Sequence, residues 1–202
     1  MCPDSRVEEG SKRKKCGKRK KNEYSFNLTN YLEQIIGVDL TTIPGIDAST
    51  ALKLISEIGT DITKWSTSKQ FCSWLGLCPG TKISGGKRLS GRTKPCRNKA
   101  AIALRMGASA LYRSQTAFGA FLRKAKSRHG PVQAITALGH KMARTIYSMM
   151  SNKEVFKEMG ADYYDQLHKE RTIKYLQKRA NSLGYMLSEA KTSKSLKRET
   201  YD

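Results

Sequence analysis

Ser84-Gly85-Gly86-Lys87-Arg88 is the segment of this 202-residue chain whose residue types could do chemistry. Its serine stands on a glycine-rich stretch crowded by Lys82, Lys87, Arg88 and Arg92. Gly85 and Gly86 let one backbone approach another closely. Cations at such a place draw in a phosphate, stabilise the charge on a pentacoordinate phosphorus and favour a serine alkoxide. Two readings follow. The serine is a nucleophile toward a phosphodiester, or the loop only grips phosphate and the serine donates a hydrogen bond. Residue types alone favour the grip. Ser90 is the nearest competitor for the chemical role, and no histidine lies nearby in sequence to act as its base.

A second candidate is the turn Ile43-Pro44-Gly45-Ile46. In a helix-hairpin-helix, a glycine turn presents backbone N–H groups at a helix N-terminus, where the dipole favours phosphate. Pro44, Gly45 and Ile46 are then sequence-independent DNA backbone contacts. The alternative is an ordinary tight turn between two core helices.

The surrounding sequence carries a wider signal. Between Asp61 and Glu154 there is neither Asp nor Glu, while eighteen Lys or Arg residues fall in the same stretch. The whole chain has 38 Lys or Arg against 17 Asp or Glu, a formal net charge of +21. Unpaired like charges repel, so a scaffold this basic is best tolerated when a polyanion lies on it; nucleic acid is the first candidate and a membrane surface the second. Contacts of this kind give salt-sensitive affinity without sequence reading. The same absence restricts chemistry. Two-metal phosphoryl transfer and paired-carboxylate acid–base work both need acids that this stretch does not hold. Five cysteines (Cys2, Cys16, Cys72, Cys78, Cys96), with no CxxC pair and three scattered histidines, argue against a disulfide framework and a zinc site. No apolar run is long enough to span a bilayer, and the N-terminus has no apolar signal core, so the sequence reads as soluble and intracellular.

The elements that must position these residues read as all-α. Residues 11–22 hold eight Lys or Arg and no apolar period, which describes a solvated linker able to clamp phosphate. Residues 27–37 fit a short helix with an Asn cap and a Gly stop. Residues 39–59 read as helix, tight glycine turn, helix, with Asp47 or Ser49 as cap and Gly59 as stop. Residues 67–77 form an amphipathic helix with Phe71, Trp74 and Leu75 on one face. Residues 78–99 are a basic loop, with a short hairpin through Gly85-Gly86 as one form it could take. An Ala-rich helix is expected over 99–127, a further helix from Pro131 to about Met150, and a strongly charged one over 161–183. The expected divisions are a basic linker 1–26, a helical catalytic-serine domain 27–151, a helical extension 152–188 and a polar tail 189–202.

From about Lys20 to Leu187 the chain resembles the C-terminal transposase domain of the insertion-sequence one-ten family, the Piv-like recombinases. The segments that carry the resemblance are GVDLTTIPGIDASTALKLISEIG, KQFCSWLGLCPGTKISGGKRLSGRTKPCRNKAAIALRMGASAL and RSQTAFGAFLRKAKSRHGPVQAITALGHKMARTIYSMM, in the family's order and spacing. The resemblance implies a helical domain whose serine, here Ser84, is the nucleophile that forms a covalent DNA–protein link. It makes Ser84 the leading catalytic candidate. The candidate DNA contacts are Pro44, Gly45, Ile46, Lys82, Gly85, Gly86, Lys87, Arg88, Arg92, Lys94, Arg97 and Lys99. The resemblance further implies a partner RuvC-like domain with four metal-binding acids, oligomers of two or four chains, and a structured guide RNA made from the element's own end.

Only Asp4, Glu8 and Glu9 lie near the start, so the expectation is a truncated or split transposase, inactive alone. It would have no metal ligands of its own, and Mg2+ would enter only with a RuvC-like partner. Its partners would be duplex DNA, the guide RNA and a second copy or a RuvC-like chain, in the nucleoid of a bacterial cytoplasm. The alternative function is a catalytically inert basic nucleic-acid-binding module, a transposase remnant.

Overall fold

The structure, a computed structural model, describes Tyr24, residues 26–95 and residues 97–188. The basic run at 11–22, Cys96 and the tail from Glu189 lie outside the described residues. Seven helices and one two-stranded ribbon follow one another among the described residues.

Helix α1 spans Leu28–Ile36, capped by the Asn27 side chain and stopped by Gly37 in the left-handed region, as its sequence predicts. The segment ahead of the glycine turn is a single 3-10 turn, Leu40–Thr42, where the sequence reading expects a helix. The Asp39 carboxylate accepts from the Thr41 amide and hydroxyl, which closes that turn locally. Ile43 to Ile46 is then a β-turn closed by Ile46 N–H donating to the Ile43 carbonyl at 3.1 Å, with Gly45 at φ +86°. Pro44 followed by a positive-φ glycine is the type II pattern. Helix α2 (Ala48–Ile58) starts under the Asp47 cap, whose carboxylate the Thr50 hydrogen bond holds below its ordinary pKa.

Helix α3 (Ser68–Trp74) is capped by Thr67 and buries Phe71 and Cys72. The basic segment after it folds as a hairpin, β1 (Lys82–Ser84) and β2 (Lys87–Ser90). The Ala-rich segment is two helices where the sequence suggests one. Helix α4 (Lys99–Ala110) ends in a 3-10 turn, Leu111–Arg113, and α5 (Ala117–His129) restarts under a Thr116 cap. Thr116 competes with the helix for a backbone bond, its Oγ1 accepting from Gly119 N–H at 3.1 Å, and the Ser114 hydroxyl donates to that same Oγ1. Arg123 secures the break by donating to the carbonyls of Tyr112 and Ser114, at 3.2 and 2.7 Å.

Helix α6 (Pro131–Asn152) is the central element, packed against α3, α4 and α5. Leu138, Met142 and Ile146 recur every fourth residue and are fully buried, which is the stripe that a helix needs to act as a core post. Ala100, Ala101, Leu104 and Ala108 form the facing stripe on α4. The core is apolar throughout, with no buried polar or charged residue among the described ones. Lys153 ends α6 in the left-handed region and donates its Nζ to the Ile36 carbonyl at 2.6 Å, tying the end of α6 to the end of α1. Helix α7 (Gly160–Ser182) buries none of its residues and lies along α5.

Candidate nucleic-acid interface

The Gly85-Gly86 pair makes the hairpin possible. Their φ values, +55° and +73°, are the two successive left-handed conformations of a type I′ turn, whose twist matches the strands it joins. The register follows from it: Ser84 pairs with Lys87, Ile83 with Arg88 and, across a bulge, Lys82 with Ser90. At the foot, Pro79 bridges Thr93 and Gly80 N–H donates to the Arg92 carbonyl at 2.9 Å. Gly80 has no room for a side chain there, since a β-carbon would come within 2.9 Å of that carbonyl oxygen. Sequence reasoning passed over Gly80 because it looks like one more loop glycine.

Ser84 thus stands at the tip of an exposed ribbon, beside the turn and directly across from Lys87. Directly paired residues of a ribbon share a face. The Ser84 hydroxyl has no hydrogen-bond partner among the described residues, whereas Ser90 Oγ accepts from Arg92 N–H at 3.3 Å. No carboxylate or imidazole among the described residues touches Ser84 to serve as its base. Lys82 and Lys87 are exposed on the strands, and Arg92, Lys94 and Arg97 are exposed on the segment returning to α4. Arg88 lies in β2 opposite Ile83. Lys99 opens α4 and lies 3.9 Å from Glu57, a pair so exposed at its Lys end (83%) that water screens it. Ile83 and Leu89 are apolar and 68% exposed on the same ribbon.

The Pro44–Ile46 turn lies elsewhere. Ile46 is buried, and Gly45 is pressed against Gly107 of α4. Lys99, at the hairpin end of α4, and Gly107 are eight residues apart, about 12 Å along a helix. The turn is thus packed against α4 through its own buried residues, whereas the cations of the hairpin are exposed.

Charges divide between two sides of the fold. On α5, Lys124 pairs with Asp165 of α7 at 2.6 Å, and the Glu158 carboxylate accepts from the Ala117 amide at the start of α5. Lys141 reaches over the rings of Phe118, Phe121 and Tyr164, where burial lowers its pKa. Acids or aromatic rings near α7 thus answer part of the α5–α6 charge. Lys82, Lys87, Arg92, Lys94 and Arg97 have no ion pair among the described residues.

The described residues do not fit a pair of catalytic cations. No group of three or more His, Cys, Asp or Glu side chains converges among them, and hard divalent ions need carboxylate oxygens. No helix among the described residues is long and apolar enough to cross a membrane.

An exposed basic ribbon between helices α3 and α4, which hold no Asp or Glu, is the charge pattern that suits a nucleic-acid backbone. Residues 39–123 match the transposase family described as IS116/IS110/IS902. That span runs from the 3-10 turn through the hairpin into α5, so this part of the chain is similar to the transposases of that family. No curated protein sequence matches the chain.

Proposed function

We propose that the chain lays its hairpin along a DNA phosphodiester backbone during insertion-sequence transposition and that Ser84 is the nucleophile. The observation that carries this reading is the unpartnered Ser84 hydroxyl, exposed at the ribbon tip opposite Lys87 and surrounded in sequence by cations without acids. In the step proposed, Ser84 Oγ attacks phosphorus. The P–O bond to one deoxyribose oxygen breaks, and the proton lost by the serine balances the one gained by that leaving oxygen. The product is a serine–DNA phosphodiester, poised for the reverse attack by another DNA hydroxyl. Lys82, Lys87, Arg88, Arg92, Lys94, Arg97 and Lys99 hold the phosphates, and Lys87 stands nearest to Ser84 along the ladder.

Metal-binding acids are assigned to a RuvC-like domain outside the described residues, in cis or on another polypeptide, and Mg2+ would come with it. Without that domain the hairpin still grips DNA, which is the inert-module alternative. That no described residue offers Ser84 a base is the observation that favours this alternative for the chain acting alone.

The test combines the full chain with the RuvC-like domain of an intact family member and end-labelled element DNA. A covalent protein–DNA adduct is expected, lost in Ser84→Ala and kept in Ser90→Ala. An adduct that survives Ser84→Ala removes Ser84 from the role. No adduct, together with tight and steeply salt-dependent DNA binding, leaves the binding module.

A further inference from the structure

The foot of the hairpin adjoins a second cationic feature, built by three elements. Leu77, which leads from α3 into the hairpin, reaches Gly139 of α6. A β-carbon at Gly139 would lie 3.8 Å from Leu77 Cδ2 and 3.9 Å from Arg105 Cγ. The Arg105 stem and Leu77 thus both pack beside Gly139, in the seam between α4 and α6. His140 follows Gly139 in the chain, and its carbonyl accepts from Cys72 Sγ of α3 at 3.9 Å. Arg144 is one turn further along α6 and lies close enough to act electrostatically on both His140 and Cys72.

Arg105 and Arg144 share a property that the cations of α5 lack. Arg105 Nε is buried and meets no acceptor in the protein. Neither Arg105 nor Arg144 has an ion pair or side-chain hydrogen bond among the described residues. A buried donor left unsatisfied carries its full desolvation cost, so it is stabilised by any acceptor that can approach. α3, the hairpin, α4 and α6 all come from the stretch without Asp or Glu, so no carboxylate from these elements can be that acceptor.

We propose that Arg105, His140 and Arg144 form an anion seam at the foot of the hairpin that takes a second phosphate of the same duplex DNA whose backbone the hairpin holds. The inference rests on the hairpin reading above and extends the DNA track from the ribbon onto the helical body. The seam positions DNA and takes no part in bond breaking. His140 is held below its ordinary pKa by burial and then by Arg144. A phosphate there offsets the repulsion from Arg144 and so favours the protonated form.

The test is duplex affinity as a function of salt, with the full chain and a 5′-labelled duplex of arbitrary sequence. Arg105→Gln and Arg144→Gln are each expected to lower the slope of log K against log salt by about one and the affinity by roughly tenfold. Lys178→Gln on α7 removes the same charge away from the seam and should leave both unchanged. Arg144 is exposed, so Arg144→Gln keeps the test open if Arg105→Gln weakens the fold, which a thermal melt detects.

Equal effects of all three substitutions would reduce the seam to bulk charge and overturn it. A double substitution Lys87→Gln/Lys94→Gln separates the two ideas. If it lowers the slope while the seam variants do not, the seam falls and the hairpin stands. If the seam variants act and the hairpin pair does not, the hairpin reading falls alone. An effect confined to structured RNA and absent with duplex would also overturn the proposal.

Discussion

Gly45 and Gly107 meet backbone to backbone. A β-carbon on Gly45 would come within 2.7 Å of the Gly107 carbonyl oxygen, and one on Gly107 would collide with the Gly45 carbonyl. The turn thus docks onto α4 through two missing side chains, and Leu111 closes beside it, 3.1 Å from the same hypothetical β-carbon at Gly45.

Gly107→Ala should therefore invert the usual helix rule. In an ordinary helix interior, Gly→Ala stabilises by about 1 kcal/mol. Here overpacking against a main chain should destabilise by about 1–3 kcal/mol. Gly45→Ala adds the strain of φ +86° to the same clash and should cost at least as much. Chemical denaturation of both variants measures this, and a more stable Gly107→Ala protein would refute the contact.

The hairpin turn predicts a different pattern. Gly85 and Gly86 have open space around them, so only their backbone conformation constrains them. Gly85→Asn should preserve the ribbon, because Asn-Gly suits a type I′ turn. Gly86→Val should loosen it without lowering global stability, since the ribbon is exposed. Limited proteolysis between Pro79 and Thr93 should speed up in Gly86→Val alone. Equal protease resistance in both variants would count against the turn.

Acid should weaken the fold through His140. Burial, and then Arg144, place its folded pKa below the ordinary value of 6.5. The unfolded chain then binds the proton more readily, so stability rises with pH in that window. The contribution is fully present above about pH 6.5 and is lost as pH falls through the folded value. His168 is shifted the same way. A melting series from pH 7.5 to 5 should show the decline, and His140→Gln should remove part of it. An unchanged slope in that variant would exclude His140.

Cys72 should be chemically silent in the native state. Burial pushes its thiol up to about 11, so almost no thiolate exists near neutral pH. Cys78 is raised too, by burial, but is only half-buried. Alkylation followed by peptide mapping should label Cys78 before Cys72, with Cys72 reacting only on unfolding. Early labelling of Cys72 would mean that α3 opens from α6.

Much of the fold was legible because local rules decide it. Asn27 and Gly37 bound α1, Asp47 and Gly59 bound α2, and Pro131 opens α6, each through a backbone requirement that one residue satisfies. The glycine pair left a hairpin open as one form of the basic loop, and that is the form it takes. The break at Ser114–Thr116 escaped notice because an Ala-rich flank has high helix propensity, and the side chains that end it act against a partner, Gly119, only once the chain has turned. The helix expected before Pro44 failed for a similar reason. Asp39 captures Thr41 and leaves a single 3-10 turn.

The candidate site divides along the same line. Residue order alone determined that a serine, two glycines and a set of cations share one short ribbon, and that no acid accompanies them, because both facts concern neighbours in the chain. Which cations stay unanswered is a matter of distance between elements far apart in sequence. Lys124 meets Asp165 only because α7 folds back on α5, and Arg105 comes to lie near Leu77, at the foot of the hairpin, only because α4 and α6 pack on one another at Gly139. Coulomb interactions and hydrogen bonds fall off within a few ångströms, so they are settled by packing, which no periodicity along a single helix encodes.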